Sequence, residues 1–428
     1  MKYIIDQHQI IKLMEQQKIK TKKELAHKMG ITPNQLSVLL SHKFEPIKSV
    51  TCKLATTLNA NALNLITTEE AKIMKSATNN TKNITDFIDV SKVVAHKSYT
   101  DVELFAGAGG LALGLEEAGF HNQELIEFDQ HATETLKKNR PNWNVIQGDI
   151  TKIKSFRSLL KDPNQEIDLL SGGYPCQSFS YAGKRLGLND TRGTLFYDYA
   201  RALKELKPKM FLVENVKGLT TMDHGKTLQT MINVFEDLGY HTQYKVLNAL
   251  DYGVADKRQR MILVGIRNDL NIDYKFPKAH SYKPVLRDVL QNVPESPGIK
   301  YSKKKYDVLK QVPAGGCWRD LPEQIAKDYM GKSYYSEGGR TGMARRLSWD
   351  EPSLTLTTSP SQKQTERCHP DETRPFTTRE YARIQSFPDS WQFEGSVSSI
   401  YKQIGNAVAV NMAKDVGKSI INALNQIN

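Results

Sequence analysis

Cysteine is scarce in this chain: four residues in 428 (Cys52, Cys176, Cys317 and Cys368), with no C-x-x-C pair. So few cysteines do not make a disulfide framework, and their spacing offers no zinc pattern, so no metal is expected. No apolar run reaches membrane length, the opening Met-Lys-Tyr-Ile-Ile-Asp-Gln-His lacks an apolar signal segment, and no internal repeat is seen. These absences lead us to expect a soluble protein of a reducing, cytoplasmic compartment. Acidic residues are also in deficit, 47 against 59 Lys and Arg, for a formal charge of +12. A chain this basic tends to associate with polyanions, nucleic acid first among them. The excess is uneven: residues 1–75 carry 12 Lys against 6 acids, and residues 300–346 carry 11 Lys or Arg against 5, +6 in each. The length allows two or three domains.

Within residues 1–75, apolar residues recur at helical spacing: Ile11, Leu13 and Met14, then Leu25, Ala26 and Met29, then Leu36, Val38, Leu39 and Leu40. Gly30 can end one helix in a left-handed cap, while Thr32 caps the next with Pro33 in its first position. The spacing resembles the helix-turn-helix of phage-repressor-type domains. It predicts an all-α unit whose second helix, about 34–42, presents Asn34, Gln35, Ser37 and Ser41 to a major groove, usually as a dimer. A small bundle used only for packing is the alternative. Residues 76–97, rich in Asn and Thr, read as a linker.

Beyond residue 98 strands alternate with helices. Asp101-Val-Glu-Leu-Phe105 reads as a strand that turns through Ala106-Gly-Ala-Gly-Gly110 into a helix. Gly107 and Gly109 let backbone approach a ligand at the helix N-terminus. Glu127 ends the next strand, where an acid accepts ribose hydroxyls, and Asp149 ends a third, placed for an adenine amino group. Alone, the glycine turn fits any tight strand-to-helix connection; with the two acids it points to an adenosine-containing cofactor. Further on, Glu166-Ile-Asp-Leu-Leu170 leads into Ser171-Gly-Gly-Tyr-Pro-Cys176-Gln-Ser-Phe-Ser180. A cysteine there stands where open α/β sheets place their chemistry, and its thiolate is a strong nucleophile. The bland reading is a buried structural cysteine. The loop 177–193, including Arg185, can fold over a phosphate backbone and exclude water. Glu214, in Met210-Phe-Leu-Val-Glu-Asn-Val216, ends a strand close by and is suited to proton exchange with a bound base. Lys257, Arg258 and Arg260 cluster at a later strand start, suiting phosphate or base-edge contacts.

In this order, Asp-Val-Glu-Leu-Phe-Ala-Gly-Ala-Gly-Gly, Glu127, Gly-Asp149, Pro-Cys176-Gln, Gly-Thr-Leu-Phe, Glu214-Asn-Val and Arg258-x-Arg260 resemble the DNA (cytosine-5)-methyltransferases of bacterial restriction–modification systems. The resemblance covers nearly everything after residue 98. It implies a Rossmann-like α/β methyltransferase domain and S-adenosylmethionine as cofactor. Phe105, Ala106, Gly107, Gly109, Gly110, Glu127, Phe128, Asp149, Ile150, Pro175 and Leu195 are the implied cofactor positions. It implies Cys176 as the nucleophile that adds to cytosine C6, Glu214 as its acid partner at N3, and Arg258 and Arg260 as holders of a base flipped out of duplex DNA. One departure is visible: Ala255-Asp256 stands where the family usually has Pro-Gln.

From 272 to 372 the alternation stops, and glycine, aromatic and basic residues mix, among them Arg340, Arg345 and Arg346. Such a segment suits groove and phosphate contacts, and it resembles the family's target-recognition domain inserted into the catalytic domain (98–271 and 373–428). An irregular solvated insertion is the bland alternative. The last block, Tyr401-Lys-Gln-Ile-Gly-Asn-Ala-Val-Ala-Val410, resembles the one that completes the cofactor pocket, adding Asn406 and Val408. The expected function is methylation of cytosine C5 in a specific duplex sequence, protecting DNA from a cognate restriction endonuclease, with the first domain binding its own promoter. An RNA cytosine methyltransferase and a plain repressor are the alternatives. A nicotinamide dehydrogenase shares the glycine turn but has no use for Pro-Cys-Gln and Glu-Asn-Val.

Overall fold

The computed structural model describes residues 86–175, 194–335 and 341–427, and before them 21–40 with a few short stretches between residues 3 and 68. The chain divides into two compact units, Met1–Ile84 and Thr85–Asn428.

In the first unit, α1 (Lys22–Lys28) is capped by the Thr21 hydroxyl, which accepts from the Glu24 N–H. Gly30 follows it at φ +63°, the left-handed position that glycine takes without strain. α2 (Pro33–Leu39) starts with a reciprocal cap: the Thr32 hydroxyl accepts from the Gln35 N–H, and the Gln35 side-chain carbonyl accepts from the Thr32 N–H. Leu25, Ala26, Met29 and Leu36 pack with Ile10, Met14, Ile19, Leu40, Leu54 and Leu58 in one core. The unit is not all-α. β1 (Tyr3–Ile5) pairs antiparallel with β2 (Ile66–Thr68), two triplets rich in β-branched residues.

The second unit is built on a seven-stranded sheet. In chain order its strands are β4 (Tyr99–Leu104), β5 (Phe120–Glu127), β6 (Asn144–Gln147), β7 (Leu169–Gly172), β8 (Met210–Val216), β9 (Tyr240–Asn248) and β11 (Gln259–Arg267). They lie side by side as β6-β5-β4-β7-β8-β11-β9, all parallel except β11. Helices α3 (Gly110–Ala118), α4 (Gln130–Asn139), α5 (Leu195–Leu206), α6 (Lys226–Asp237) and the C-terminal α12 (Val410–Leu424) connect and cover these strands. Apolar residues on the two faces form separate cores, one centred on α12 and one on α5 and α6. Because only β11 runs backwards, the ends of β4, β5, β6, β7 and β8 and the start of β11 share one edge.

Two expected boundaries move. Residues 86–97, read as linker, belong to this unit: β3 (Phe87–Ile88) pairs with β12 (Phe276–Pro277). Residues 272–290, read as insertion, also pack on the catalytic core. The Tyr274 and Ser419 hydroxyls are 3.0 Å apart, and Leu286 and Leu290, in and just after α7 (Leu286–Val289), join the core of Phe376 and Tyr381. The insertion proper carries α8 (Lys303–Leu309) and α9 (Glu323–Met330) and has a small core of its own, Leu309, Val312, Leu321, Ala326, Tyr329, Ala344 and Cys368. It is therefore a folded module, not a solvated irregular loop. Its return crosses β13 (Ser353–Leu354), which pairs with β10 (Asp256–Lys257), and leads to α10 (Thr378–Ile384) and α11 (Val397–Asn406). Among the described residues no helix is long and apolar enough to cross a membrane.

Candidate active site

The glycine turn, Glu127 and Asp149 follow β4, β5 and β6, three adjacent strands, so the topology brings them to one side of the shared edge. Phe105 takes φ +60°, bending the chain sharply out of β4. Glu127 accepts the Gly107 N–H at 2.7 Å through one oxygen and the Asp129 N–H at 2.7 Å through the other. Burial raises its pKa against these bonds. The three glycines differ in purpose. A Cβ on Gly107 would meet nothing within 4 Å, so this turn faces open space. A Cβ on Gly109 would strike Leu136 at 2.6 Å, and one on Gly110 the Val408 carbonyl at 2.2 Å. Gly109 and Gly110 therefore leave no room for a side chain, which is set by the packing of their neighbours. Asp149 caps a short helical turn through Thr151, whose side chain and N–H lower its pKa. Phe128 is 73% exposed. Ile150 and Val408 are buried, Ala106 is 5% exposed, and Pro175 and Asn406 are exposed.

On the other side of the edge, β7 runs into Gly173-Tyr-Pro175 beside β8. Glu214 and Arg260 form an ion pair of 2.9 Å between Oε1 and Nε, both side chains largely buried. The other carboxylate oxygen of Glu214 lies 3.0 Å from where a Cβ on Gly173 would stand, so this glycine leaves the room the acid occupies. Asn215 donates from its amide to the Tyr174 carbonyl at 2.9 Å, tying the Glu-Asn-Val strand to the Tyr-Pro segment. The Tyr174 ring packs on Phe196 and Tyr199, with centroids 5.5 Å away in each case. Cys176, Arg185 and the rest of 176–193 lie outside the described residues, but the acid sits directly against the segment that leads to the cysteine.

Arg258 does not join this pair. Its guanidinium is buried and donates to the main-chain carbonyls of Leu356 (3.1 Å), Gly405 (2.9 Å) and Ala407 (3.0 Å). Burial lowers its pKa to about 10. Among the described residues it is Arg260 that pairs with the acid.

The arginines assigned to DNA fare similarly. Arg346 is 4% exposed and donates to the carbonyls of Leu309, Val312, His369 and Glu372. Arg345 holds the Gly315 carbonyl and Glu351 (2.8 Å). Both act as internal knots, because a glycine-rich module with a small core leaves carbonyls to be satisfied. In the first unit Ser37 and Gln35 are exposed, although Gln35 already serves the cap. Arg340, Ser41 and the Asn34 side chain lie outside the described residues.

A family model described as C-5 cytosine-specific DNA methylase matches residues 99–422. The chain belongs to the C-5 cytosine-specific DNA methylase family. It is 55% identical over 425 residues to the type II methyltransferase M.Sau96I of Staphylococcus aureus, covering 98% of each chain. It is 56% identical over 345 residues to M.Eco47II of Escherichia coli, covering 78% of this chain and 82% of that one. A crystal structure of a prophage-encoded DNA modification methyltransferase of E. coli matches with a TM-score of 0.58 at 25% identity, over 77% of this chain and 100% of the other.

As a member of this methylase family the protein is a DNA (cytosine-5)-methyltransferase that uses S-adenosylmethionine as methyl donor. The residues present fit that molecule. Gly107 leaves an open approach at the N-terminal side of α3, and Glu127 holds a carboxylate beside it with lone pairs left for ribose hydroxyls. Phe128 presents an exposed ring next to it, and Asp149 a partly exposed carboxylate one strand further on.

Sequence reading passed over two groups in this methylase. One is the bond from Gln385 to Asp256, the latter seen in the sequence only as a departure, taken up below. The other is a pair of acids within β4 itself. Asp101 and Glu103 are 0% and 1% exposed, and the Ser171 hydroxyl donates to Asp101 at 3.0 Å. Their i, i+2 spacing in an otherwise apolar strand was the available signal. Burial pushes the Asp101 carboxyl up to about 8 despite the Ser171 bond. Burial, with Asp101 and Glu127 nearby, drives Glu103 well above the usual range. With the folded pKa above the unfolded value near 3.9, the folded state holds the proton more tightly. The contribution of this carboxyl to stability is therefore fully present below about pH 4 and is lost as the pH rises toward 8. Asp101→Asn keeps an acceptor for Ser171 and removes this dependence. Its stability relative to wild type is expected to grow between pH 5 and pH 8 by up to about 1.4 kcal/mol per unit. Thermal unfolding at the two pH values checks this, and a difference that does not change with pH contradicts it.

Proposed function

We propose that this enzyme methylates C5 of a flipped-out cytosine in one specific duplex sequence, and that the sequence is the one modified by M.Sau96I. The observation that carries the mechanism is the Glu214–Arg260 pair, set against Gly173 at the entrance to the Cys176 segment. The shared target is supported by 55% identity that runs through 98% of both chains, and so includes the insertion.

C5 of cytosine is a weak nucleophile. The Cys176 thiolate adds to C6 while Glu214 gives a proton or hydrogen bond to N3, so electron density builds at C5. When bound, S-adenosylmethionine supplies an electrophilic methyl group. Removal of the C5 proton and elimination of the cysteine then restore the aromatic ring. Arg260 holds the Glu214 carboxylate in place. A stacked base cannot reach the thiol, so it leaves the helix at a cost of about a few kcal/mol.

The modification guards DNA against a cognate restriction endonuclease. The first unit, with its capped α1 and α2, is read as a helix-turn-helix that binds the enzyme's own promoter and limits its expression, as a dimer, while the catalytic unit acts on its site as a monomer in the cytoplasm. A footprint confined to methylation sites contradicts the promoter reading.

The test of the main reading is bisulfite sequencing of a plasmid propagated with this gene in a host lacking cytosine methylation, beside one propagated with M.Sau96I. The same protected cytosines are expected. Protection at another sequence overturns the shared target, and methyl transfer to tRNA but not duplex DNA overturns the substrate.

A further inference from the structure

Asp256, the residue that departs from the family's pattern, is fully buried on β10, two residues ahead of Arg258 and four ahead of Arg260. One of its oxygens accepts the Gln385 side-chain amide at 2.6 Å and the Leu356 N–H at 3.2 Å. Arg258 takes the carbonyl of that same Leu356 at 3.1 Å. Both backbone groups of one residue in the insertion's return are thus gripped by two side chains of the strand segment that carries Arg260. Gln385 caps the C-terminal end of α10, and its own carbonyl accepts the Val410 N–H at 3.2 Å, where α12 begins. The segment is also tight: the Arg258 N–H bonds back to the Asp256 carbonyl at 2.8 Å.

We propose that Asp256 is a positioning residue whose negative charge balances Arg258 and Arg367, so that Glu214 keeps its ion pair with Arg260 and its place for serving the base. The proposal rests on the role given to Glu214 above. Arg258 is buried and donates to three neutral carbonyls, so its charge needs a counter-ion nearby. Arg367 brings a second buried guanidinium from the insertion, 5% exposed and bonded to the carbonyls of Leu354, Thr355 and Glu366. Burial raises the Asp256 pKa, and Arg258, the Leu356 N–H, Arg367 and Arg260 pull it back down. Arg258 is favoured in its charged form by both Asp256 and Glu214, with Arg260 opposing and Tyr381 also close. Without the Asp256 charge, Glu214 becomes the counter-ion of two arginines and is drawn from the place it holds beside Arg260 and Gly173. A neutral glutamine in this position could satisfy the same hydrogen bonds but not balance the two buried arginines.

Asp256→Asn separates charge from hydrogen bonding, since the asparagine oxygen can accept from both the Gln385 amide and the Leu356 N–H. Using the full-length enzyme and tritiated-methyl transfer into duplex DNA, this variant is expected to lose about tenfold in kcat, with KM for S-adenosylmethionine within about twofold of wild type. Gln385→Ala leaves the charge but frees it, and is expected to lose several-fold in kcat with the same split. Wild-type kcat in both variants, or a loss confined to KM or thermal stability, overturns the proposal. Should the asparagine variant not fold, Gln385→Ala decides alone. Glu214→Gln run alongside keeps the two readings apart. If it is inactive while the Asp256 and Gln385 variants are normal, only this inference fails; if it is active, the role of Glu214 fails.

Discussion

Cys176→Ala should abolish methyl transfer, lowering turnover by about 10⁴-fold or more, while leaving duplex binding and S-adenosylmethionine binding within about twofold. The size follows from the chemistry. Cytosine C5 gains nucleophilic character only when C6 carries an added nucleophile, and no general acid or favourable orientation replaces that bond. Binding survives because the elements proposed for the cofactor side, the Gly107 turn and Glu127, are tied to each other by the 2.7 Å hydrogen bond, which does not involve the thiol. Tritium incorporation and a separate binding assay decide it. A variant that still turns over within tenfold of wild type rules out covalent catalysis through this thiol.

Glu214→Gln should be the next most damaging change, with kcat reduced by roughly 10²–10³-fold, within the range for removing a positioned acid. The glutamine is nearly isosteric, so the Gly173 contact and the Asn215 bond to Tyr174 remain. Two things are lost: the proton available to cytosine N3 and the partner of Arg260, which faces it at 2.9 Å in a largely buried setting. An uncompensated guanidinium there shifts or draws in water, adding to the loss. KM for S-adenosylmethionine should stay within about twofold, because the cofactor side of the edge lies across β4 and β7 from this acid. Single-turnover kinetics on a cognate duplex separate the chemical step from binding. A variant impaired only in KM contradicts the assignment.

Local features were the legible ones. The Gly30 cap, the Thr32 hydroxyl with Pro33 after it, and the strand, turn and helix around Gly107 each depend on residues within a few positions, so spacing and residue type suffice to find them. Glu127 was also readable, since only the order of strands was needed to bring it beside the turn. Fates decided by distant packing were not. Arg258 and Arg346 look like groove or phosphate ligands in one dimension, yet each faces carbonyls delivered from far along the chain, such as Ala407 for Arg258. That Gly109 and Gly110 are also required by Leu136 and Val408 depends on residues far along the chain. The linker and insertion boundaries moved for the same reason: Phe87 and Phe276 are paired strands that no local pattern connects. Asp256 was visible only as a departure, and its meaning needed Gln385, 129 positions away.

The most direct measurement is covalent trapping on a duplex carrying 5-fluorocytosine at the target position. Fluorine cannot leave C5 as the proton does, so after methyl addition the ring cannot be restored and the enzyme stays attached. With S-adenosylmethionine present, a one-to-one adduct is expected, its mass on the peptide containing Cys176, and none with Cys176→Ala. Methylation of the ordinary duplex with no adduct on the fluorinated one, or an adduct on any other residue, contradicts the account.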